Sequence, residues 1–418
     1  MKKSRFLWLI FLMLPAWLSG QNIAQWRGPE RNGFYPDTGL LEEWPEDGPA
    51  QLWSMEGIGK GFSSVSVMDG TIYATGLIDS NECLSAIKQG DGQILWQIPY
   101  GHPILRSFKD TRCTPTIEQD RAFMISGRGE VVCVDLSLQQ IAWHVDAYQR
   151  FGGESGRWEI AESPLLVEDK VIYTPGGHKT TMVALDKNTG ETIWSTKTLH
   201  DTSAYVSPIL IERGDKKIIV TVLSHNIIGV DAEDGNILWT YNYPGLDGPI
   251  KYELSNHINT ITPIYKDGRL FITSGYDRTS AMFELSTDGT EIQLLWKQPV
   301  MDTHHGGVVL HDGYLYGSTW INNSQGNWAC LDWESGEIMY EKKWNNKGSI
   351  ITADHKLIVY EEKRGNVALV NPDPEDFKVI SSFRHRQGSG PHWAHPVIKD
   401  GILYIRHGET LTAYDIRK

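Results

Sequence analysis

The chain has 418 residues, of which 40% are hydrophobic, 22% charged and 11% aromatic, with 41 Gly and only 4 Cys. That composition excludes a disordered chain, a coiled coil and a disulfide-stapled miniprotein. The formal charge of -13 argues against nucleic-acid or anionic-membrane partners, because both need basic surface to neutralise phosphate.

At the N-terminus, Lys2, Lys3 and Arg5 flank the apolar stretch Phe6 to Leu18, and Ser19-Gly20 supply small residues before Gln21. The pattern reads as a signal peptide over residues 1–20. It is short for a membrane span, and no later stretch reaches the roughly 20 apolar residues a span needs. No Cys stands near the cleavage point. The expected product is therefore a soluble periplasmic or secreted protein without a lipid anchor. Residues 21–50 read as an N-terminal extension and 51–418 as one repeat domain.

The repeat is seen in ALDKNTGETIW (Ala184 to Trp194), GVDAEDGNILW (Gly229 to Trp239) and CLDWESGEIMY (Cys330 to Tyr340), with degenerate copies ending at Trp96, Trp143 and Trp296. Each copy is a strand, a tight turn and a second strand. An apolar hairpin precedes each one, turning at Asp69, Asp120, Asp169, Gly214, Asp267, Asp312, Asp354 and Asp400. Four strands every 40 to 50 residues make a propeller blade, and eight units make eight blades. Gln51-Leu52-Trp53 matches the outer strand that the last motif, begun at Ala413, lacks. The expected fold is thus all-β: an eight-bladed β-propeller of four-stranded antiparallel blades, closed by an N-terminal strand joining the C-terminal blade. The repeated Trp residues are expected to pack the seams between blades. Cys133 and Cys330 stand where other copies have Ala, which marks them as small buried residues rather than disulfide or metal ligands.

These motifs resemble the PQQ-like (quinoprotein-type) eight-bladed propeller superfamily, and AQWRGPERNG (Ala24 to Gly33) is similar to the N-terminal segment of its secreted members. The superfamily holds quinone-dependent alcohol dehydrogenases and cofactor-free outer-membrane assembly lipoproteins. The former imply a vicinal Cys pair and pore carboxylates that bind calcium. This chain has no adjacent Cys residues, so PQQ is not expected here, although Glu154, Glu159 and Glu162 in one crossover could partly substitute for the carboxylates and leave a PQQ-dependent dehydrogenase as a more remote alternative. The latter imply a lipid anchor, for which the chain offers no acceptor Cys, and protein partners. A non-catalytic binding or assembly scaffold stays open as an alternative.

Aligning the inner strands on their turns compares the pore-facing positions blade by blade. One ring reads Ser64, Thr114, Ser163, Ser207, Thr262, Gly307, Ser349 and His395. Two residues earlier, nearer the mouth, a second ring reads Phe62, Arg112, Ala161, Tyr205, Thr260, His305, Lys347 and Trp393. Cations around an aromatic funnel suit an anionic ligand with flat apolar faces, and an acidic oligosaccharide fits that description. Phe62, Lys347 and Trp393, with His257, His304 and His392 nearby, are the expected substrate-binding residues. His305, His395 and Tyr205 are candidate acids and bases, and Arg112 the charge stabiliser, for elimination from a uronate in the manner of a lyase or dehydratase. The His304/His305 and His392/His395 pairs with His257 also leave a divalent metal open. Adjacent residues on a strand point apart, so His304 and His305 are not expected to ligate together.

Overall fold

Each strand-turn-strand motif folds as the outer half of a blade, because its alternating apolar residues have two neighbouring sheets to face. The computed structural model describes residues 23–104, 108–158, 160–246 and 258–418. Eight antiparallel sheets run around one axis. Blades one to seven take their strands in sequence order, from Ser66–Met68 innermost in blade one to Lys378–Arg384 outermost in blade seven. Blade eight takes three strands from Val397–Lys399, Ile402–His407 and Thr410–Asp415, and its outer strand, Ala50–Met55, from the other end of the chain. This closure joins the two ends of the domain and leaves no open sheet edge between blades eight and one. The outer pair of blade seven, Asn366–Asn371 and Lys378–Arg384, carries neither the Gly nor the Trp of the repeat, yet it too is an antiparallel hairpin, with a register shift between Leu369 and Val370.

The repeated Trp is a seam residue. Trp143 donates its indole N–H to the carbonyl of Lys187 at 2.8 Å, and Trp194 and Trp239 reach Ala232 and Gly289 of the next blade in the same way. The turn glycine of the next blade lies against the ring of Trp143 (Gly190) and of Trp194 (Gly235). Gly235 has φ +76°, and a methyl there would sit 2.6 Å from Trp194, so this position needs glycine for both backbone and space. Each such Trp buries most of a large ring, an interaction on the order of 1.5–3 kcal/mol.

On the axis, the ring of small residues forms a hydrogen-bonded belt. Thr114 accepts from the Ser64 N–H, Ser163 from the Thr114 N–H, and Ser207 from the Ser163 N–H, all within 3.0 Å. Small hydroxylated side chains are required because each must reach the backbone of the neighbouring inner strand.

The segment before the propeller threads the central channel. Ile23–Ala24 adds a fifth strand to the inner edge of blade two. Arg31 then donates to the carbonyls of Ser163, Pro164 and Pro208, and Phe34 bridges to Thr352 of blade seven. Nothing in the sequence reading of residues 21–50 anticipated this plug. All four Cys are buried and unpaired, as expected of packing residues. Among the described residues, regular helix is confined to Ala147–Phe151 and Pro244–Leu246, and no helix is long and apolar enough to cross a membrane. The expected signal peptide lies outside the described residues.

Candidate functional site

The channel mouth opens into a cavity of about 420 Å³. Its walls are Phe62, Phe108, Trp158, Tyr205, Tyr276 and Trp393, with Arg112, His304 and His305 between them. Ser163, Ser207, Thr262 and His395 of the small-residue belt line its deep end together with Trp26 from the plug. The Trp26 indole N–H bonds Thr262 at 3.1 Å, and its ring lies 4.7 Å from that of His395. The cavity is therefore a funnel with an aromatic floor rather than an open pore.

A glycine at position 307 lets the plug seat. Arg27 lies beside Gly307, where a methyl would come 1.7 Å from its guanidinium. Arg27 donates to the carbonyls of Val308 (2.7 Å) and Gly306 (3.4 Å) and to His395 Nδ1 (3.0 Å). An arginine can only donate, so Nδ1 of His395 is an acceptor and Nε2 carries the proton. That proton goes to the His305 carbonyl at 2.8 Å. Both nitrogens of His395 are thus committed to structure, and burial, helped by Arg27, holds the ring neutral.

The wall histidines are also neutral. Burial lowers His304 well below the usual imidazole range and His305 to about 3, with Lys347 acting in the same direction on both. Their rings stack 3.5 Å apart at 29°. This corrects the expectation that adjacent histidines point apart: they lie in an irregular loop before blade six, not on a strand, and Gly306-Gly307 lets that loop turn. His304 Nε2 meets the Tyr276 hydroxyl at 2.7 Å. Phe62, Phe108 and His305 crowd the Trp393 ring at 4.9, 5.2 and 5.0 Å. The Tyr205 hydroxyl accepts from the Trp158 N–H at 3.0 Å. Arg112 is half-buried and donates to the carbonyls of Phe108 and Trp158, which fixes its fork at the cavity edge.

Seven of the expected residues thus meet in one cavity: Phe62, Arg112, Tyr205, His304, His305, Trp393 and His395. Lys347 does not line it. Its ammonium is 1% exposed and pairs with Glu362 at 2.6 Å, so its charge is spent inside the wall. His392 sits apart, against Tyr360 and stacked 3.6 Å from His407. His257 lies outside the described residues. The residues that sequence reading missed are Trp26, Phe108, Trp158, Tyr276 and Glu362. Trp26 alone carried a signal, as part of the AQWRGPERNG segment.

The cavity does not fit a quinone with its calcium. A quinone tricarboxylate needs several cations, and its calcium needs carboxylate oxygens. The described lining offers one arginine and no Asp or Glu.

A family model described as outer membrane protein assembly factor BamB matches residues 80–324. Among solved structures, BamB from Moraxella catarrhalis is 16% identical with a TM-score of 0.63, over 88% of this chain and 99% of that one. Quinohemoprotein alcohol dehydrogenases are similar in fold: the Comamonas testosteroni structure is 12% identical with a TM-score of 0.66, and the Pseudomonas putida HK5 structure, ADHIIG, 10% with 0.60. Each covers 93% of this chain and 79% of its own. No curated protein sequence matches the chain.

Proposed function

We propose a ligand-binding role for this chain, which belongs to the family described as outer membrane protein assembly factor BamB: its channel mouth takes an acidic saccharide. The observation that carries this reading is the convergence of aromatic faces and one fixed arginine on a closed-ended cavity in a protein of net charge -13. Sugar rings stack on Trp393, Trp158 or Tyr205, while Arg112 meets a carboxylate or sulfate. Its two carbonyl contacts already orient the fork, so little side-chain entropy is lost on binding. The neutral His305 ring and the belt hydroxyls offer partners for sugar hydroxyls.

Elimination has weaker support than binding. Abstracting a proton needs a base whose affinity lies near the working pH. Burial leaves His305 far below that range, and both nitrogens of His395 are engaged.

The test is calorimetric titration of the purified chain with uronate, sulfated and neutral oligosaccharides of equal length, with product masses recorded after incubation. The expected result is binding of the acidic members without a mass change. Absence of binding across the acidic panel would reject the reading and favour a scaffold acting through protein partners. A mass loss on a uronate substrate would restore elimination.

A further inference from the structure

Two buried nitrogens in the cavity wall, His304 Nδ1 and His305 Nδ1, have no hydrogen-bond partner among the described residues. An imidazole nitrogen in that state costs stability unless something occupies it. For His304 one of the two tautomers leaves a free lone pair at Nδ1. Its Nε2 faces the Tyr276 hydroxyl, and donation of Nε2–H there leaves Nδ1 unprotonated. A ring nitrogen fixed in this way by its opposite partner is how a metal-binding imidazole is oriented.

A carboxylate completes the group. One ligand atom each of His304, His305 and Glu362 lies within 4.8 Å of the other two. Glu362 is nearly buried, and its Oε1 pairs with the Lys347 ammonium at 2.6 Å, so Oε2 is the oxygen outside that ion pair. We propose that His304, His305 and Glu362 form a binding site for one divalent first-row metal ion of the zinc type. Two imidazoles and one carboxylate suit such an ion and leave a fourth position open toward the cavity. The three donors must draw in, since ligand atoms on a tetrahedral ion with bonds of about 2.0–2.1 Å stand roughly 3.3 Å apart. The irregular loop bearing both histidines permits that movement more readily than a strand would.

Lys347 is the built-in competitor. Its ammonium neutralises Glu362 when the site is empty and repels an arriving cation. The site therefore makes two predictions of opposite sign. Removing a histidine weakens metal binding, whereas Lys347→Met strengthens it. Nothing in this inference depends on the saccharide reading, because the probe is the metal alone.

The experiment uses the full chain, stripped with a chelator, titrated with Zn2+ and followed by calorimetry and by thermal unfolding. Co2+ serves as a spectroscopic probe, since four-coordinate cobalt absorbs in the visible with an intensity that reports its ligands. Wild type is expected to bind one equivalent at micromolar or tighter concentration with a rise in Tm. His305→Ala should lose at least tenfold in affinity, and Tyr276→Phe roughly tenfold through the oriented His304 ring. Lys347→Met should have a lower Tm without metal and a larger gain with it. A peripheral site is the competing outcome, and the exposed His102 and His144 around the buried Glu130 are its natural location. No binding at 100-fold excess would overturn the proposal, as would Zn2+ affinity that is lost in His102→Ala and kept in His305→Ala. If His305→Ala fails to fold, the sign of the Lys347→Met effect decides: weaker or unchanged affinity refutes the site.

Discussion

Arg27 and His395 meet at 3.0 Å on the propeller axis although 368 residues separate them, and this contact ties the N-terminal plug to the last blade. Arg27 is buried and also serves the carbonyls of Gly306 and Val308. Arg27→Met keeps much of the volume but removes the donor to Val308 and His395, while the Gly306 carbonyl keeps the Ile350 N–H. Each buried group left unsatisfied costs about 1–3 kcal/mol, so a loss of roughly 3–5 kcal/mol is expected in urea unfolding. Trp26 would lose its anchor in the same variant, and its fluorescence should shift to longer wavelength. A variant as stable as wild type with unchanged emission would show that the plug is held elsewhere.

The seam between blades three and four gives a second prediction. Gly235 has a left-handed backbone, and Trp194 lies against the place a side chain would take. Gly235→Ala is therefore expected to destabilise by about 2–4 kcal/mol, combining backbone strain with displacement of the ring. Gly70 has a similar φ of +77° but open space around it. Gly70→Ala should cost only the backbone part, about 1 kcal/mol. Equal losses in the two variants, measured by denaturant midpoint, would remove the Trp from the explanation.

The blades and their closure were legible because each depends on local pattern: alternation within strands, a turn residue at fixed spacing and a Trp at one place in most copies. The cavity was legible for the same reason, since pore-facing positions recur at one place in every inner strand. Three features were not. The plug has no periodicity, and its role depends on Arg27 and Arg31 finding carbonyls in blades remote in sequence. The stacked His304 and His305 follow from a loop conformation that Gly306-Gly307 permits, whereas a strand rule was applied to them. Lys347 read as a free cation because its partner, Glu362, belongs to a different loop of blade seven and was aligned with neither ring.

Two buried acids make stability depend on pH. Burial pushes Glu82 up to about 8 against hydrogen bonds from Tyr100 and Gly127, and pushes Glu162 up to about 8 as well, opposed by Thr174 and Arg31. A raised value in the folded state means the native protein holds protons that the unfolded chain releases above the ordinary carboxylate range. The contribution is therefore full at pH 4 and is lost as pH rises through about 8. Stability should decline between pH 5 and 8 by at most about 1.4 kcal/mol per pH unit for each group. Glu82→Gln mimics the protonated acid, so its urea midpoint should fall less steeply and exceed that of wild type at pH 8.5. Parallel profiles for the two proteins would mean that Glu82 is ionised in the fold.

The saccharide reading separates charge from stacking in a way that two variants resolve. Arg112 lies at the cavity edge with its fork set by the Phe108 and Trp158 carbonyls, and Trp393 presents a ring braced by Phe62, Phe108 and His305. Arg112→Met removes the only cation of the described lining. It should weaken an acidic oligosaccharide by about 10- to 100-fold, as expected for a charged hydrogen bond of roughly 1.5–3 kcal/mol, and leave its neutral counterpart nearly unchanged. Wild-type affinity for the acidic ligand should also fall with added salt, and the variant should lose that dependence. Trp393→Ala removes a stacking face that does not distinguish charge, so it should weaken both ligands by a similar factor. Calorimetric titration at low and high salt reads all four combinations. A uniform loss in Arg112→Met would show that this arginine shapes the cavity by holding Phe108 and Trp158 and does not meet the anion.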